Sequence, residues 1–250
     1  MIQVWFYSLT SVFIVSLISL VGVFTLAIKE KKLREILIYF VSFSAGALFG
    51  DVFIHLLPEI TKGSGFTITI SLAVLAGIVI SFLTEKIICW RHCHLPVTKT
   101  HVHQFAYMNL FGDAIHNFLD GITIAVSFLV SIPVGLATTL AVVFHEIPQE
   151  IGDFGVLLHG GFTKRRAVWY NFLTALSAVV GTIVTLTLSY YVKNLTPFLI
   201  PFAAGNFIYI AGSDLIPELH KEVALKKGLI QLMFFIFGIA IMMGILFFSE

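Results

Sequence analysis

The sequence predicts an all-α membrane protein with eight transmembrane helices, and its composition supports this fold class. Apolar residues make up 58% of the 250 residues, charged residues make up 12%, and the mean hydropathy is +0.98. An ordinary soluble domain has about 25% charged residues, so lipid must solvate most of this surface. Because no water reaches the bilayer core, the backbone must satisfy its own hydrogen bonds as helix. We expect one transmembrane domain over residues 1–250.

Eight stretches are long and apolar enough to span, since a spanning helix needs about 20 mostly apolar residues. The predicted spans are residues 4–28, 36–60, 66–89, 104–130, 134–159, 167–191, 197–219 and 228–248. The connections between them are short, and no linker divides the chain.

The basic residues predict the orientation, because they concentrate in cytoplasmic connections. With the N-terminus outside, thirteen of the fifteen Lys and Arg residues fall in inside connections. Only Lys62 and Lys193 fall outside. Both termini should therefore be outside. The net charge of +1 gives no reason to expect a nucleic-acid partner.

A repeated motif relates spans 2 and 7. His55-Leu-Leu-Pro-Glu59 follows Ala45-Gly46 at the spacing by which Asp214-Leu-Ile-Pro-Glu218 follows Ala204-Gly205. These spans cross in opposite directions, which is typical of an inverted repeat with a substrate site between the halves. Helices 1–3 would then mirror helices 6–8 around a central pair, 4 and 5. The alternative is a chance similarity of two apolar helices that end in proline.

Polar residues accumulate on that central pair. Span 4 contains His116, Asn117 and Asp120, with Asp113 one turn earlier. Span 5 contains the run His145-Glu-Ile-Pro-Gln-Glu150, which includes Glu146, Pro148 and Gln149. His116 and Asp120 share one helix face, about 6 Å apart along the axis. Ionisable groups at this depth cost on the order of 3 kcal/mol each and mark ion pathways.

Two imidazoles with carboxylate and amide oxygens from two helices suit zinc, iron, manganese or cobalt. Pro148 should bend span 5 and free a backbone carbonyl near these ligands. Gly121 and Gly152 should let the helices approach closely. The alternatives are a buried polar network that holds two helices together, or a proton relay.

The motifs His116-Asn117-x-x-Asp120-Gly121 and His145-Glu146-x-Pro148-x-Glu150 resemble those of the ZIP (Zrt/Irt-like) metal transporters. They are most similar to the branch whose fifth helix carries HEIPxE followed by Gly-Asp-Phe. The resemblance covers the whole eight-helix chain. It implies transport of divalent metal toward the cytosol, with zinc, iron, manganese or cadmium as substrate and not as cofactor, through a site on helices 4 and 5. It also makes a homodimer a candidate assembly, although no motif here argues for one.

Carried onto this chain, the resemblance implies a main metal site of His116, Asp120, His145 and Gln149. Asn117 and Glu146 would lean toward a neighbouring second position. Gln149 stands where some ZIP proteins place a bridging carboxylate, and span 6 contains no carboxylate. Since a neutral amide cannot neutralise a second cation, we expect one well-occupied metal in this site.

Other polar residues should form the path to and from that site. Asp51 and His55 share a face of span 2, and Asp214 takes the repeat position of His55. With Asp113 and Glu150 they are candidate pathway residues. Polarity at helix ends is the alternative for spans 2 and 7. Cysteines and histidines cluster in the connection over residues 89–103, which either receives metal or is a solvated loop. That cluster comprises Cys89, His92, Cys93, His94, His101 and His103.

Two other functions compete with metal transport. A proton or cation channel would use the same polar pair of helices. An intramembrane zinc metalloprotease is suggested by His145-Glu146, but Gln149 stands where HExxH needs its second histidine. We therefore expect a transporter and not an enzyme. A compact chain without long His-rich extensions favours a prokaryotic inner membrane over an organellar one.

Overall fold

A computed structural model describes residues 1–22, 30–62, 65–90, 102–192 and 196–247. Over these ranges the chain forms eight long helices, α1–α8, and no strand. Their bounds are α1, Ile2–Ile18 with a 3₁₀ turn at Ser19–Val21; α2, Glu30–Gly50 continued by Asp51–Leu56 and Leu57–Thr61; α3, Ile68–Trp90; α4, Val102–Val130; α5, Ile132–His159; α6, Lys164–Ala175 and Ser177–Tyr191; α7, Thr196–Tyr209 continued by Ile210–Leu215 and Ile216–His220; and α8, Leu225–Phe247.

These helices confirm the predicted all-α membrane fold. Among the described residues, seven are long and apolar enough to cross a membrane by length and composition. The remaining helix, α5, is 28 residues long, and its polar run from His145 to Asp153 lowers its hydropathy. α5 is therefore less apolar than a typical membrane-spanning helix because it carries many of the predicted site residues.

Helices α2 and α7 share an irregularity at matching places. Each contains a six-residue π-helical segment, Asp51–Leu56 in α2 and Ile210–Leu215 in α7. Each segment is followed at once by a short α-helical turn with Pro58 or Pro217 near its start. A proline cannot donate to the carbonyl four residues earlier, so the preceding turn widens. The irregularity thus follows from the proline of the repeated motif, and the inverted repeat itself stays a prediction.

Glycines set the closest helix contacts. In three helix pairs, α2–α8, α3–α7 and α4–α6, each helix contributes one glycine that packs against a backbone carbonyl of the other helix. A Cβ on any of them would lie 2.0–2.3 Å from that oxygen, and the six are Gly46, Gly77, Gly121, Gly181, Gly205 and Gly238. Gly121 behaves as predicted, here against Ala178 of α6. The expectation for Gly152 was wrong, because a Cβ there would meet nothing within 4 Å.

Helices α4 and α5 form a tight antiparallel hairpin. Ser131 alone separates them, in an extended conformation, and its hydroxyl accepts the Val134 N–H to cap α5. Near this connection the facing side chains are apolar and buried, among them Ile124, Phe128 and Ala137. Because the helices run in opposite directions, residues increasingly early in α4 face residues increasingly late in α5. That register brings the polar residues of the two helices together.

Candidate metal centre

Four side chains from α4 and α5 converge in the middle of the hairpin. They are His116 and Asp120 from α4, and His145 and Glu146 from α5. Asp120, His145 and Glu146 are almost wholly buried, whereas the His116 side chain is 19% exposed. Neither oxygen of Asp120 or of Glu146 accepts a well-oriented hydrogen bond, and the nearest nitrogens are those of the two imidazoles, 3.0–3.2 Å away. Unsatisfied carboxylate oxygens are costly at this depth unless a cation meets them.

The spacing of the four donor atoms fits a tetrahedral ion. His116 Nε2 lies 3.7 Å from Asp120 Oδ2 and 3.2 Å from Glu146 Oε1. His145 Nε2 lies 3.0 and 3.5 Å from the same two oxygens, and the two Nε2 atoms are 3.3 Å apart. Donors bonded tetrahedrally to zinc at about 2.0–2.2 Å stand about 3.3–3.6 Å from one another. Two of these separations, 3.3 and 3.5 Å, lie within that range, and the other three lie within about 0.3 Å of it. Small side-chain movements would therefore let the four donors share one zinc ion.

The His145 ring is oriented for ligation. Its Nδ1 lies 3.2 Å from the Ala141 carbonyl oxygen, one turn back on α5. A carbonyl only accepts, so a neutral ring that donates from Nδ1 to it would turn the lone pair of Nε2 toward the other three donors. Phe207 of α7 packs against the ring, with centroids 6.0 Å apart. These two contacts hold the ring in position.

Pro148 leaves a carbonyl free, as predicted, but that carbonyl does not face the donors. α5 runs unbroken through Pro148. The Phe144 carbonyl, four residues earlier, accepts the Ser44 hydroxyl of α2 at 2.6 Å. The freed acceptor therefore ties α5 to α2 instead of joining the ligand set.

A polar cavity adjoins the four donors. Its volume is about 250 Å³, and it reaches from His116 and Gln149 toward the helix ends on the side of the α3–α4 connection. Its acidic lining residues are Glu85, Asp113, Asp153 and Asp214. No Lys or Arg contributes to this lining. A cation leaving the donors in this direction would meet only neutral and acidic groups and His116.

A second carboxylate cluster lies one turn nearer that end of the hairpin. Asp113 of α4 meets Glu150 and Asp153 of α5, with one oxygen from each within 4.8 Å of the others. Neutral donors hold them: Thr174 donates to Asp113 at 2.5 Å, and Asn171 donates to Glu150. These α6 residues were not predicted from the sequence, in which span 6 is notable for its lack of carboxylates. Their spacing of three residues on an apolar helix was the available signal.

The other predicted site residues lie around these clusters. Glu146, expected to lean toward a second position, lies in the four-donor cluster instead. Asn117 is buried and donates its amide to Asp113 Oδ1 at 2.8 Å. Gln149 lines the cavity together with Asp214.

Asp51 and His55 lie away from the donors, toward the Ser131 end of the bundle. Asp51 is wholly buried and accepts the Thr138 hydroxyl at 2.8 Å. His55 Nε2 lies 3.0 Å from the Met242 carbonyl oxygen of α8. The predicted Cys/His cluster of residues 89–103 lies outside the described part of the structure, because it falls on residues 91–101 and on neighbouring residues whose side chains are not described.

Comparison with known proteins identifies relatives over most of the chain. A family model described as ZIP Zinc transporter matches residues 2–104 and 92–246. Zinc transporter YKE4 of Saccharomyces cerevisiae is 34% identical over 238 residues, which cover 81% of this chain and 68% of that protein. Zinc transporter ZIP13 of Danio rerio is 30% identical, covering 96% and 86% respectively. A ZIP13 homolog of Drosophila melanogaster is 29% identical, covering 95% and 88%.

Proposed function

The chain belongs to the ZIP zinc transporter family, and we propose that it moves zinc across the membrane through the four donors His116, Asp120, His145 and Glu146. The spacing of these donors carries the proposal. Two neutral imidazoles and two carboxylates supply four ligands and two negative charges, which together satisfy and neutralise one divalent ion. The relatives named above are transporters, so the same residues need no hydrolytic role.

The set differs from the one that the resemblance implied, because Glu146 takes the place of Gln149. Glu146 Oε1 lies within 3.5 Å of both imidazoles. A carboxylate there adds the second negative charge that a neutral amide cannot supply. Gln149 then lines the way out, and Asn117 belongs to the neighbouring acidic cluster. One metal in the four-donor site remains the expectation.

Transport toward the cytosol follows from the cavity and the basic residues taken together. The cavity opens beside the α3–α4 connection, which the distribution of Lys and Arg places inside. Asp214, Asp113 and Glu150 are then exit-side residues. Asp51 and His55, on the opposite side of the donors, are entrance-side residues.

The relatives bear on location as well as on chemistry. The protein is an integral membrane protein, and the named relatives come from yeast, fly and fish. They give no support to the expected prokaryotic inner membrane. The inverted repeat, the outside termini, the homodimer and the preference for zinc over iron, manganese or cadmium stay predictions.

Zinc flux into liposomes tests the proposal. Purified protein is reconstituted into vesicles that contain a zinc-sensitive dye, and zinc is added outside. We expect fast filling with the unmodified chain, and none above empty vesicles with His116→Ala, Asp120→Ala, His145→Ala or Glu146→Ala. Glu222→Gln, in the α7–α8 connection, is the matched control for loss of a carboxylate and should transport normally. Acidification should slow the flux, because protons compete with metal for the ligands.

Two results would contradict the proposal. One is unchanged flux in all four ligand variants while the control also transports. The other is loss of folded protein in all four, which would favour a structural polar network. The rival functions separate in the same assay: a proton channel would collapse a pH gradient without lighting the dye, and a protease would cleave a membrane-embedded substrate while the vesicles stay dark.

A further inference from the structure

Three carboxylates beside the zinc donors have no cationic partner. Asp113 and Glu150 are buried, and Asp153 is half-buried at the cavity. None of the ion pairs in the described part of the chain involves them. Their hydrogen-bond donors among the described residues are neutral side chains, namely Asn109, Asn117, Asn171 and Thr174. Three acidic groups this deep in a membrane protein must either bind protons or have a balancing cation.

The same neutral donors leave specific oxygens free. Asn171 donates to Glu150 Oε2, and Glu150 Oε1 has no partner although the residue is only 1% exposed. Asn109 donates to Asp153 Oδ1 at 2.8 Å, and Asp153 Oδ2 has no partner. One oxygen of each carboxylate is thus held in place while the other is left open. Buried polar atoms in native proteins nearly always have a partner, so these oxygens indicate a missing one.

Asn117 is an independent indication, because it is neutral. It is wholly buried, and its amide nitrogen is bonded to Asp113 Oδ1. Its own Oδ1 has no partner. Charge repulsion among carboxylates cannot explain an unsatisfied amide oxygen. A cation next to Asp113 would satisfy it, since Asn carbonyl oxygens commonly ligate metal ions.

We propose that Asp113, Glu150 and Asp153, with Asn117 Oδ1 beside them, form a second divalent-cation site built only of oxygen, which receives the ion as it leaves the zinc donors. The proposal rests on the proposed transport function. Glu146 links the two sites: its Oε1 lies 3.2 Å from His116 Nε2, and Glu150 follows one turn further along α5. Asp113 and Asp153 also line the cavity, so an ion there is one step from water.

The two sites differ in donor chemistry, which predicts a difference in selectivity. Imidazole nitrogen favours zinc over harder ions, whereas carboxylate and amide oxygens accept manganese and magnesium as readily. The four-donor site should therefore select zinc. The oxygen site should hold several divalent ions more weakly, which suits release toward the cavity.

Binding stoichiometry tests the second site. Full-length protein in lipid nanodiscs is dialysed against graded zinc, and bound metal is counted by elemental analysis. We expect two zinc ions per chain, the second weaker. Glu150→Gln and Asp153→Asn should each retain the tight ion and weaken the second about tenfold or more, because each removes one charge from the ion's contact shell. Both replacements keep an oxygen for the Asn171 or Asn109 amide, so the fold should survive, as thermal unfolding will verify. Glu222→Gln is the matched control and should hold two ions.

The variant His145→Ala distinguishes this site from the transport site. It should lose the tight zinc and keep the weaker ion, with manganese now bound within about tenfold of zinc. If the unmodified chain and both cluster variants bind one zinc alike, the oxygen site does not exist and the carboxylates hold protons instead. Loss of both ions in folded Glu150→Gln or Asp153→Asn would also overturn it, because the two clusters would then be one site. If His145→Ala instead kept the tight zinc, the proposed four-donor transport site would be wrong. The oxygen site would then be tested by Glu150→Gln and Asp153→Asn alone.

Discussion

The two ends of the α4–α5 hairpin differ sharply in what separates the helices. Toward Ser131, apolar side chains such as Ile124, Phe128 and Ala137 fill the space with no exposed surface beyond 1%. Toward the α3–α4 connection, carboxylates and amides line a cavity of about 250 Å³. The four donors lie between. The cavity gives a hydrated ion a way to approach them from the end of the α3–α4 connection, whereas the packed apolar side chains separate them from the Ser131 end.

A polar substitution should be costly at the closed end and harmless at the open end. Ile124→Gln buries an amide with no partner and should lower stability by on the order of 3 kcal/mol. Leu119→Gln, five residues earlier on α4 and in the cavity wall, should change stability little. Thermal unfolding in nanodiscs compares the two. Equal losses would mean that the two ends are packed alike.

Two glycines offer a subtler version of the same contrast. A Cβ at Gly121 would lie 2.0 Å from the Ala178 carbonyl oxygen, whereas one at Gly152 would meet nothing within 4 Å. Gly121→Ala should therefore cost about 1–3 kcal/mol. Gly152→Ala should gain up to about 1 kcal/mol, because alanine favours the helix. The unfolding midpoints should move in opposite directions, and a lowered midpoint for Gly152→Ala would place a helix contact at the open end.

Thiol labelling, in a background in which Cys89 and Cys93 are replaced by serine, tests which end faces the cytosol. Thr84→Cys, in the cavity wall, should react with an impermeant reagent only after cells are permeabilised. Lys62→Cys, exposed at the other face, should react in intact cells. Ser127→Cys, wholly buried at the closed end, should resist in both conditions. The reverse pattern for the first two would overturn the orientation drawn from the basic residues.

A charge at the cavity edge should change kinetics more than folding. Gln149→Glu adds a carboxylate next to the exit, where it can hold a second cation close to the first. We expect a lower KM for zinc and a lower maximal flux, because release slows, with no change in unfolding. The liposome assay measures both quantities. Faster flux with unchanged KM would show that position 149 does not contact the departing ion.

Much of this architecture could be predicted from the sequence, since hydropathy locates spans well when the backbone must be helical. The predicted span 197–219 and the observed α7, residues 196–220, agree within one residue. The π-helical segments could not be predicted, because a proline in the motif shows that the helix is perturbed without showing how. The prediction for Gly152 was wrong for a related reason, because the position of a glycine next to ligand residues in the sequence does not show whether it faces another helix.

Most residues of the candidate site could be predicted from the sequence, but which of them lie together could not. His116, Asp120 and His145 could be named from their spacing, whereas Glu146 replaced Gln149 because the rotation of α5 about its axis decides which side chain points at α4. Asp113, Glu150 and Asp153 could be named only as separate polar positions. Their meeting depends on the antiparallel register set by the one-residue turn at Ser131. That register, applied to the polar stripes of both helices, was the signal that could have joined them.

Anomalous diffraction from crystals grown with zinc would locate the bound ion itself. We expect a zinc peak about 2.0–2.2 Å from His116 Nε2, His145 Nε2, Asp120 Oδ2 and Glu146 Oε1, at the centre of the tetrahedron that these atoms outline. A weaker peak among the carboxylates beyond Glu146 would agree with the oxygen site. A strong peak that contacts Gln149 while Glu146 points away would rule out the four-donor site.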